Sequence, residues 1–479
     1  MSFLQQASRG VKWTSLAAVL AMVLQFAQLA VLGRILTPSD FGLVAMIMVV
    51  LGFVQAYADM GISNALIYRQ DATYSQLSSL YWLNLMVGAL LYGVVILVNP
   101  LVISFFGESR LVTLIPLAAL ALVITPIGQQ FQVLCEKELR FNRLAAFEII
   151  ASILGTSIAI TTAMLGWGVV AIIAGQLAAS STKALSLAVY GFRRWSPALH
   201  FQLSDVRDFL GFGLYQLGER SISYMSKNLD KLLVGSLLGS LQLGYYNIAY
   251  QLMIKPSQVI NPIITRVTFP LFAKLQGDDP ALKKAYLEAI QSLAIITFPI
   301  YTAMILLAKP LILGLMGPEW GQSVSIFQIL SALGFIYVLG NPMGSLQLAK
   351  GRADIGFFMT CYTALIYGGA IWFGSRFGTA GVATGLLIAT LCFQFPVGFW
   401  LRWKLVKMSP LEYFQTLLPP IASAAIMALF VRTSSFVLDI GDQDAFSLGG
   451  IALLGGFLYL AAIYKWQPTF ILLLRKSIR

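Results

Sequence analysis

Apolar residues run through this chain in long unbroken blocks, with polar residues gathered in short intervals between them. The first block, Thr14 to Leu36, is long enough to cross a bilayer, for which about 20 residues suffice, and too long for the apolar part of a cleaved leader. Blocks of this kind recur along the whole sequence. Hydropathy places about fourteen membrane-crossing helices, near 13–36, 41–66, 77–99, 111–134, 145–165, 169–191, 208–238, 243–272, 285–308, 322–348, 353–374, 380–401, 411–432 and 446–465. The expected fold is an all-α integral membrane protein. Basic residues then set its direction. With the N-terminus in the cytoplasm, Arg9, Lys12, Lys137, Arg140, Arg143, Arg193, Arg194, Lys283, Lys284, Arg402, Lys404 and Lys407 all fall on the cytoplasmic side. The opposite side holds only a few, such as Arg110, Lys309 and Arg376. Lys and Arg concentrate in cytoplasmic loops, so both termini are expected inside.

Composition removes the soluble alternatives. Hydrophobic residues make up 58% and charged residues 11% of the 479, whereas a water-facing chain carries about 25% charge. The net charge of +12 raises the question of nucleic acid, but the basic residues sit in separate short loops and form no continuous face. No nucleic-acid partner is expected. Cys135, Cys361 and Cys392 lie in or beside apolar segments, and His200 has no Cys or His near it. Neither a metal site nor a cofactor follows from them, and His200 reads as a solvated loop histidine. The carboxylates of Asp439–Asp444 lack the ligand set of a calcium loop and read as a solvated turn. Trp167, Trp195, Trp320 and Trp466 stand at segment ends, where interfacial anchoring accounts for them. No phosphate-binding glycine loop or nucleophile elbow is present, so the chain is expected neither to hydrolyse ATP itself nor to be an enzyme.

The sequence repeats itself. Val31–Met46 (VLGRILTPSDFGLVAM) resembles Leu233–Ile248 (LVGSLLGSLQLGYYNI), pairing Gly33 with Gly235 and Gly42 with Gly244 at an offset of about 202. Pro100–Gly107 (PLVISFFG) similarly matches Pro310–Gly317 (PLILGLMG). Two six-helix halves are expected, 1–200 and 201–405, with 406–479 forming two extra helices and a cytoplasmic tail. Six is even, so the repeats are parallel, about an axis along the membrane normal. Such a pair suits alternating access around a site between the halves rather than a pore.

Charged residues inside the apolar blocks suggest where a site lies. In the seventh segment, Arg220, Lys227 and Lys231 fall within about 40° of one another on a helix, with Glu219 and Asp230 on an adjoining stripe. The repeat places Gln25 and Gln28 under Lys227 and Asp230, so the first segment is polar where the seventh is charged. Lys183, Lys255 and Arg266 add cations in the sixth and eighth segments. Ionisable groups in hydrocarbon need a cavity or a partner. A cavity with excess positive charge attracts an anion, with phosphate or pyrophosphate the natural match for Arg and Lys. Arg220, Lys227, Lys231, Lys255, Lys183, Gln25 and Gln28 are therefore the expected substrate contacts. Mutual neutralisation within the stripe remains the purely structural alternative. A gradient-driven carrier also needs a carboxylate whose occupancy changes, for which Glu219, Asp59, Asp230 and Glu148 are the candidates. Glu219 is favoured because it lies nearer mid-membrane on the proposed face. Glu148 follows a basic loop and could pair with Arg140 or Arg143.

Four stretches carry a family resemblance: Ala58–Gly88, Gly33–Ala45, Glu138–Ile149 (ELRFNRLAAFEI) and Lys309–Trp320 (KPLILGLMGPEW). They resemble bacterial polysaccharide-transport flippases of the multidrug/oligosaccharidyl-lipid/polysaccharide exporter superfamily, most strongly the colanic-acid and lipopolysaccharide exporter branch. The resemblance implies a V-shaped bundle in the bacterial inner membrane. It also implies an undecaprenyl-pyrophosphate-linked oligosaccharide as substrate, with the tail left in lipid while the sugar head crosses. A proton or sodium gradient and partners in polymerisation and chain-length control on the outer face belong to the same expectation. The alternatives are a peptidoglycan-precursor flippase, a cation-coupled multidrug antiporter on the same fold, and a membrane glycosyltransferase or polymerase. The basic excess argues against the antiporter, and short outer loops argue against the enzyme.

Overall fold

A backbone surrounded by lipid must satisfy its own polar groups, which leaves the helix as the element that a single segment can form alone. The computed structural model describes residues 3–58, 66, 73–438 and 445–466 and, within them, every side chain except those of 3–11, 207–222, 353 and 445–446. Among the described residues the regular structure is helical throughout. The α-helices are α1 Phe3–Ile35, α2 Pro38–Ala58, α3 Tyr74–Phe106, α4 Leu111–Ala119, α5 Ala121–Lys137, α6 Phe141–Met164, α7 Val169–Phe192 and α8 Leu203–Lys274. They continue as α9 Asp279–Leu306, α10 Ala308–Met316, α11 Gly321–Ala349, α12 Ala353–Gly374, α13 Gly378–Ala389, α14 Phe395–Val406, α15 Pro410–Val437 and α16 Ala445–Trp466. Eleven segments among the described residues are long and apolar enough to span a membrane, and one of these, Asp354–Val406, covers two of the expected crossings. The 72-residue α8 covers two more, interrupted at Gly239 (φ 80°, ψ 178°).

Local chemistry sets the helix ends. Thr73 and Gln76 form a reciprocal capping box at α3, and Ser409 and Glu412 form another at α15, behind Pro410 in its first turn. Gly107 closes α3 in the left-handed conformation that glycine adopts without strain.

The chain divides into two compact units, Met1–Gly244 and Tyr245–Arg479, and the division falls inside α8. In the first, small residues bring helices together. A Cβ on Gly155 of α6 would lie 2.8 Å from the Gly175 carbonyl oxygen of α7, and one on Gly175 would lie 2.7 Å from the Gly155 oxygen. The turn after α1 packs against the break in α8 in the same reciprocal way. A Cβ on Gly42 would meet the Ser240 oxygen at 1.7 Å, and one on Gly244 would meet the Pro38 oxygen at 1.8 Å. Ser39 and Ser240 share a hydrogen bond of 3.0 Å there, and Arg110 donates to both hydroxyls while pairing with Glu108.

The second unit has a core of Tyr286, Ile290, Phe298, Tyr413 and Tyr459. The Tyr459 hydroxyl donates to the Ile295 carbonyl at 3.0 Å, filling a buried acceptor. Arg402 is buried in this unit, and among the described residues it forms no ion pair with a carboxylate. Its Nε donates to the Tyr286 hydroxyl at 2.9 Å, and its guanidinium lies 4.7 Å from the Tyr413 ring centroid. Aromatic faces thus supply the negative potential that a carboxylate otherwise would.

Two expectations need correction. Trp320, read as an interfacial anchor, is fully buried, because the turn Pro318–Trp320 folds its ring edge-on against Tyr245. His200 is held at 3.0 Å from the Asp205 carboxylate, which also accepts from Ser79, so it is tied down rather than merely solvated. The Asp439–Asp444 turn lies outside the described residues.

The close approach at Gly42 is directly testable. Gly42→Val should destabilise the protein by about 3 kcal/mol, at the upper end of ordinary overpacking, because the obstacle is backbone. Gly93→Ala, where nothing lies within 4 Å of the added carbon, should leave the melting temperature in detergent essentially unchanged.

Candidate functional site

Four helices of the first unit leave a polar space between them. The cavity, about 590 Å³, is bounded by α2, α5, α6 and α7. Its polar lining is Gln55 from α2; Thr125, Gln129, Gln132 and Glu136 from α5; Glu148 and Ser152 from α6; and Ser180 and Lys183 from α7. The α5 residues follow one another at i, i+4, i+7 and i+11, a single stripe along one helix face. Glu148 and Ser152 stand one turn apart, as do Ser180 and Lys183. Gly128 lets α5 close on α7, since a Cβ there would lie 2.7 Å from the Ala184 Cα.

One ion pair dominates the electrostatics. The Lys183 ammonium lies 2.7 Å from the Glu148 carboxylate, with the side chains 35% and 45% exposed. Gln132 donates to Glu136 at 2.9 Å. This is a wet pair rather than a sealed one, so its members can exchange partners at modest cost. Around it, amides and hydroxyls offer both donors and acceptors, as sugar hydroxyls require.

The expected site residues fall in several places. Lys183 and Glu148 meet in the cavity; Glu148 takes Lys183 as its partner rather than Arg140, which pairs with Glu138, or Arg143, which faces the Tyr190 ring. Gln28, on α1, accepts from Thr156 of α6 at 3.1 Å, and Gln25 is exposed on the same helix. On α8, Lys227 is exposed, Lys231 donates to Asn228 at 3.1 Å, and buried Asp230 accepts from the Lys231 backbone N–H at 2.8 Å. Lys255 is half-buried in the second unit. The side chains of Glu219 and Arg220, and the whole of Asp59, lie outside the described residues. Sequence reasoning passed over Gln55, Gln129, Gln132, Ser152 and Ser180. The polar periodicity along the fourth expected segment was the signal that could have found Gln129 and Gln132.

Comparison with known proteins gives consistent matches. Residues 31–325 match the family model described as polysaccharide biosynthesis protein. The chain is 35% identical to the teichuronic acid biosynthesis protein TuaB of Bacillus subtilis (strain 168), over 99% of each chain. It is 32% identical to the lipopolysaccharide biosynthesis protein WzxC of Escherichia coli (strain K12), covering 82% of this chain and 80% of that one. Among solved structures, the inward closed conformation of the lipid II flippase MurJ matches with a TM-score of 0.75 at 15% identity, over 95% of this chain and 99% of the other. An inward-facing multidrug resistance transporter of the MATE family, in the MOP superfamily, gives a TM-score of 0.62 at 19% identity, over 80% and 94%. At such identities the structural likeness is one of fold, that of helical membrane transporters.

The exposure of the Lys183–Glu148 pair sets its contribution to stability. A double-mutant cycle with Lys183→Gln and Glu148→Gln should give a coupling energy below about 1 kcal/mol. Thermal unfolding of the four proteins in detergent measures it, and a larger coupling would mean that the pair is structural.

Proposed function

The chain belongs to the polysaccharide biosynthesis protein family, and on that premise we propose that it carries lipid-linked oligosaccharide repeat units across the cytoplasmic membrane for surface-polysaccharide synthesis. The observation that carries this reading is a cavity of sugar-compatible size, lined with amides and hydroxyls around the Lys183–Glu148 pair, within an otherwise apolar multi-pass bundle. The lipopolysaccharide and teichuronic acid biosynthesis roles in the relatives' names support it, as does the transporter fold. The work is translocation rather than bond making.

In this scheme both termini are cytoplasmic, and the six-helix lobes 1–200 and 201–405 alternate access to the two sides, with 406–479 appended. The substrate is an undecaprenyl-pyrophosphate-linked oligosaccharide whose tail stays in lipid. Lys183, Arg220, Lys227, Lys231 and Lys255 attract the pyrophosphate or acidic sugars, and Gln25 and Gln28 meet hydroxyls. A proton or sodium ion moves through one of Glu219, Asp59, Asp230 or Glu148, and a polymerase with its chain-length machinery receives the product outside.

Deleting the gene should abolish one surface glycan and cause its lipid-linked intermediate to accumulate inside the cell. Purified protein in vesicles should translocate that intermediate. Transport of organic cations with indifference to lipid-linked sugar would instead identify an antiporter.

Coupling has its own measurement. Glu219→Gln in vesicles should still bind lipid-linked oligosaccharide but lose its response to an imposed ion gradient. A variant that follows the gradient at the unmodified rate moves the assignment to Asp59.

A further inference from the structure

The cavity helices carry a second charged cluster, near the loop that joins α5 to α6. Arg140 donates to the Tyr190 hydroxyl at 3.1 Å. The guanidinium carbons of Arg194 and Arg143 lie 4.5 Å and 5.8 Å from the Tyr190 ring centroid. Glu138 pairs with Arg140 and, at 3.4 Å, with Arg194. Two guanidiniums therefore share one carboxylate, and among the described residues the third, that of Arg143, forms no ion pair. Ordinary basic loops at a membrane surface are dispersed in water. These three are gathered on one aromatic ring, which fixes their direction.

Position decides what such a cluster serves. At 100° per residue, Tyr190 lies within about 20° of Lys183 around the α7 axis, and Arg194 follows two residues after the helix ends. Tyr190 stands about 10 Å from Lys183 along that axis. The exposed apolar side chains of α7, Leu185, Val189 and Phe192, project from the opposite face. Tyr190, on which the arginines are gathered, thus lies on the cavity side of α7 and not on the side that meets bulk lipid. An excess of forked cations on the helices that bound a polar cavity matches a doubly charged phosphate ester better than a neutral or cationic solute.

We propose that Arg140, Arg143 and Arg194, gathered on Tyr190, form the first docking site for the pyrophosphate of the lipid-linked substrate, which then moves along α7 to Lys183. The proposal rests on the flippase reading above. Arginine forks capture the pyrophosphate at the membrane surface, where it remains partly hydrated. Lys183, a point charge already held by Glu148, receives it deeper in, as Glu148 gives way.

The test uses full-length protein in nanodiscs of phosphatidylcholine, with undecaprenyl pyrophosphate as the probe and undecaprenol as its uncharged counterpart. Arg143→Gln, which breaks no ion pair, and the double variant Arg143→Gln/Arg194→Gln should weaken undecaprenyl pyrophosphate binding by about tenfold or more. Undecaprenol binding and the melting temperature should not change. The salt dependence of binding should also become shallower. Equal binding by the unmodified protein and Arg143→Gln overturns the docking site while leaving the flippase reading intact. Equally strong competition by phosphatidylglycerol overturns it in favour of a bulk-lipid site. Failure of the unmodified protein to bind the pyrophosphate at all would count against the flippase reading itself.

Discussion

The loss of water along most of its length governs this protein. Where water cannot reach, a backbone group must find its partner within the same helix, and a charge must find a partner or a cavity. The molecule answers in three distinct ways. Lys183 and Glu148 neutralise each other in a polar cavity, both partly exposed. Arg402, which pairs with no carboxylate among the described residues, is held by a tyrosine hydroxyl and aromatic faces. Arg140 and Arg194 share Glu138 near the loop between α5 and α6. The first arrangement is the one suited to change, because its members remain in reach of solvent and of a competing ion. The second encloses its cation among rings, away from solvent.

The same lack of water alters how helices adhere. Lipid tails are as apolar as leucine, so burying leucine against a neighbouring helix gains little, and association depends on close van der Waals fit. Hence the contacts that matter in the first unit are made by the smallest residues. Gly155 faces Gly175, and Gly128 faces Ala184, with no room for an added carbon. That tightness also shapes the cavity. By drawing α5 and α7 together at Gly128, the chain sets the stripe from Thr125 to Glu136 beside Lys183 instead of leaving it to the lipid.

The sequence made much of this legible. The helical membrane fold and the family could be read from hydropathy and from stretches such as Glu138–Ile149, because both are local properties of the chain. Partner choice could not. Glu148 lies within a few residues of two arginines, and sequence distance favours them; the pairing with Lys183, 35 residues away, exists only because α6 and α7 lie side by side. Trp320 misled for a related reason: its place at a segment end is the same whether its ring meets headgroups or turns inward on Tyr245. The glutamines of the cavity were visible as residues but not as a group, since four helices converge to make the site.

The reciprocal contact at Gly42 and Gly244 limits which substitutions the chain can accept. In both directions the obstacle to a larger residue is a carbonyl oxygen, of Ser240 in one case and Pro38 in the other. A clash between side chains can be relieved by shortening the partner, so such positions drift in pairs. Here no second substitution can make room, because every amino acid brings the same carbonyl. At this one turn the limit is set by the main chain itself, so the two glycines are held by the approach of two backbones and not by the choice of side chains around them.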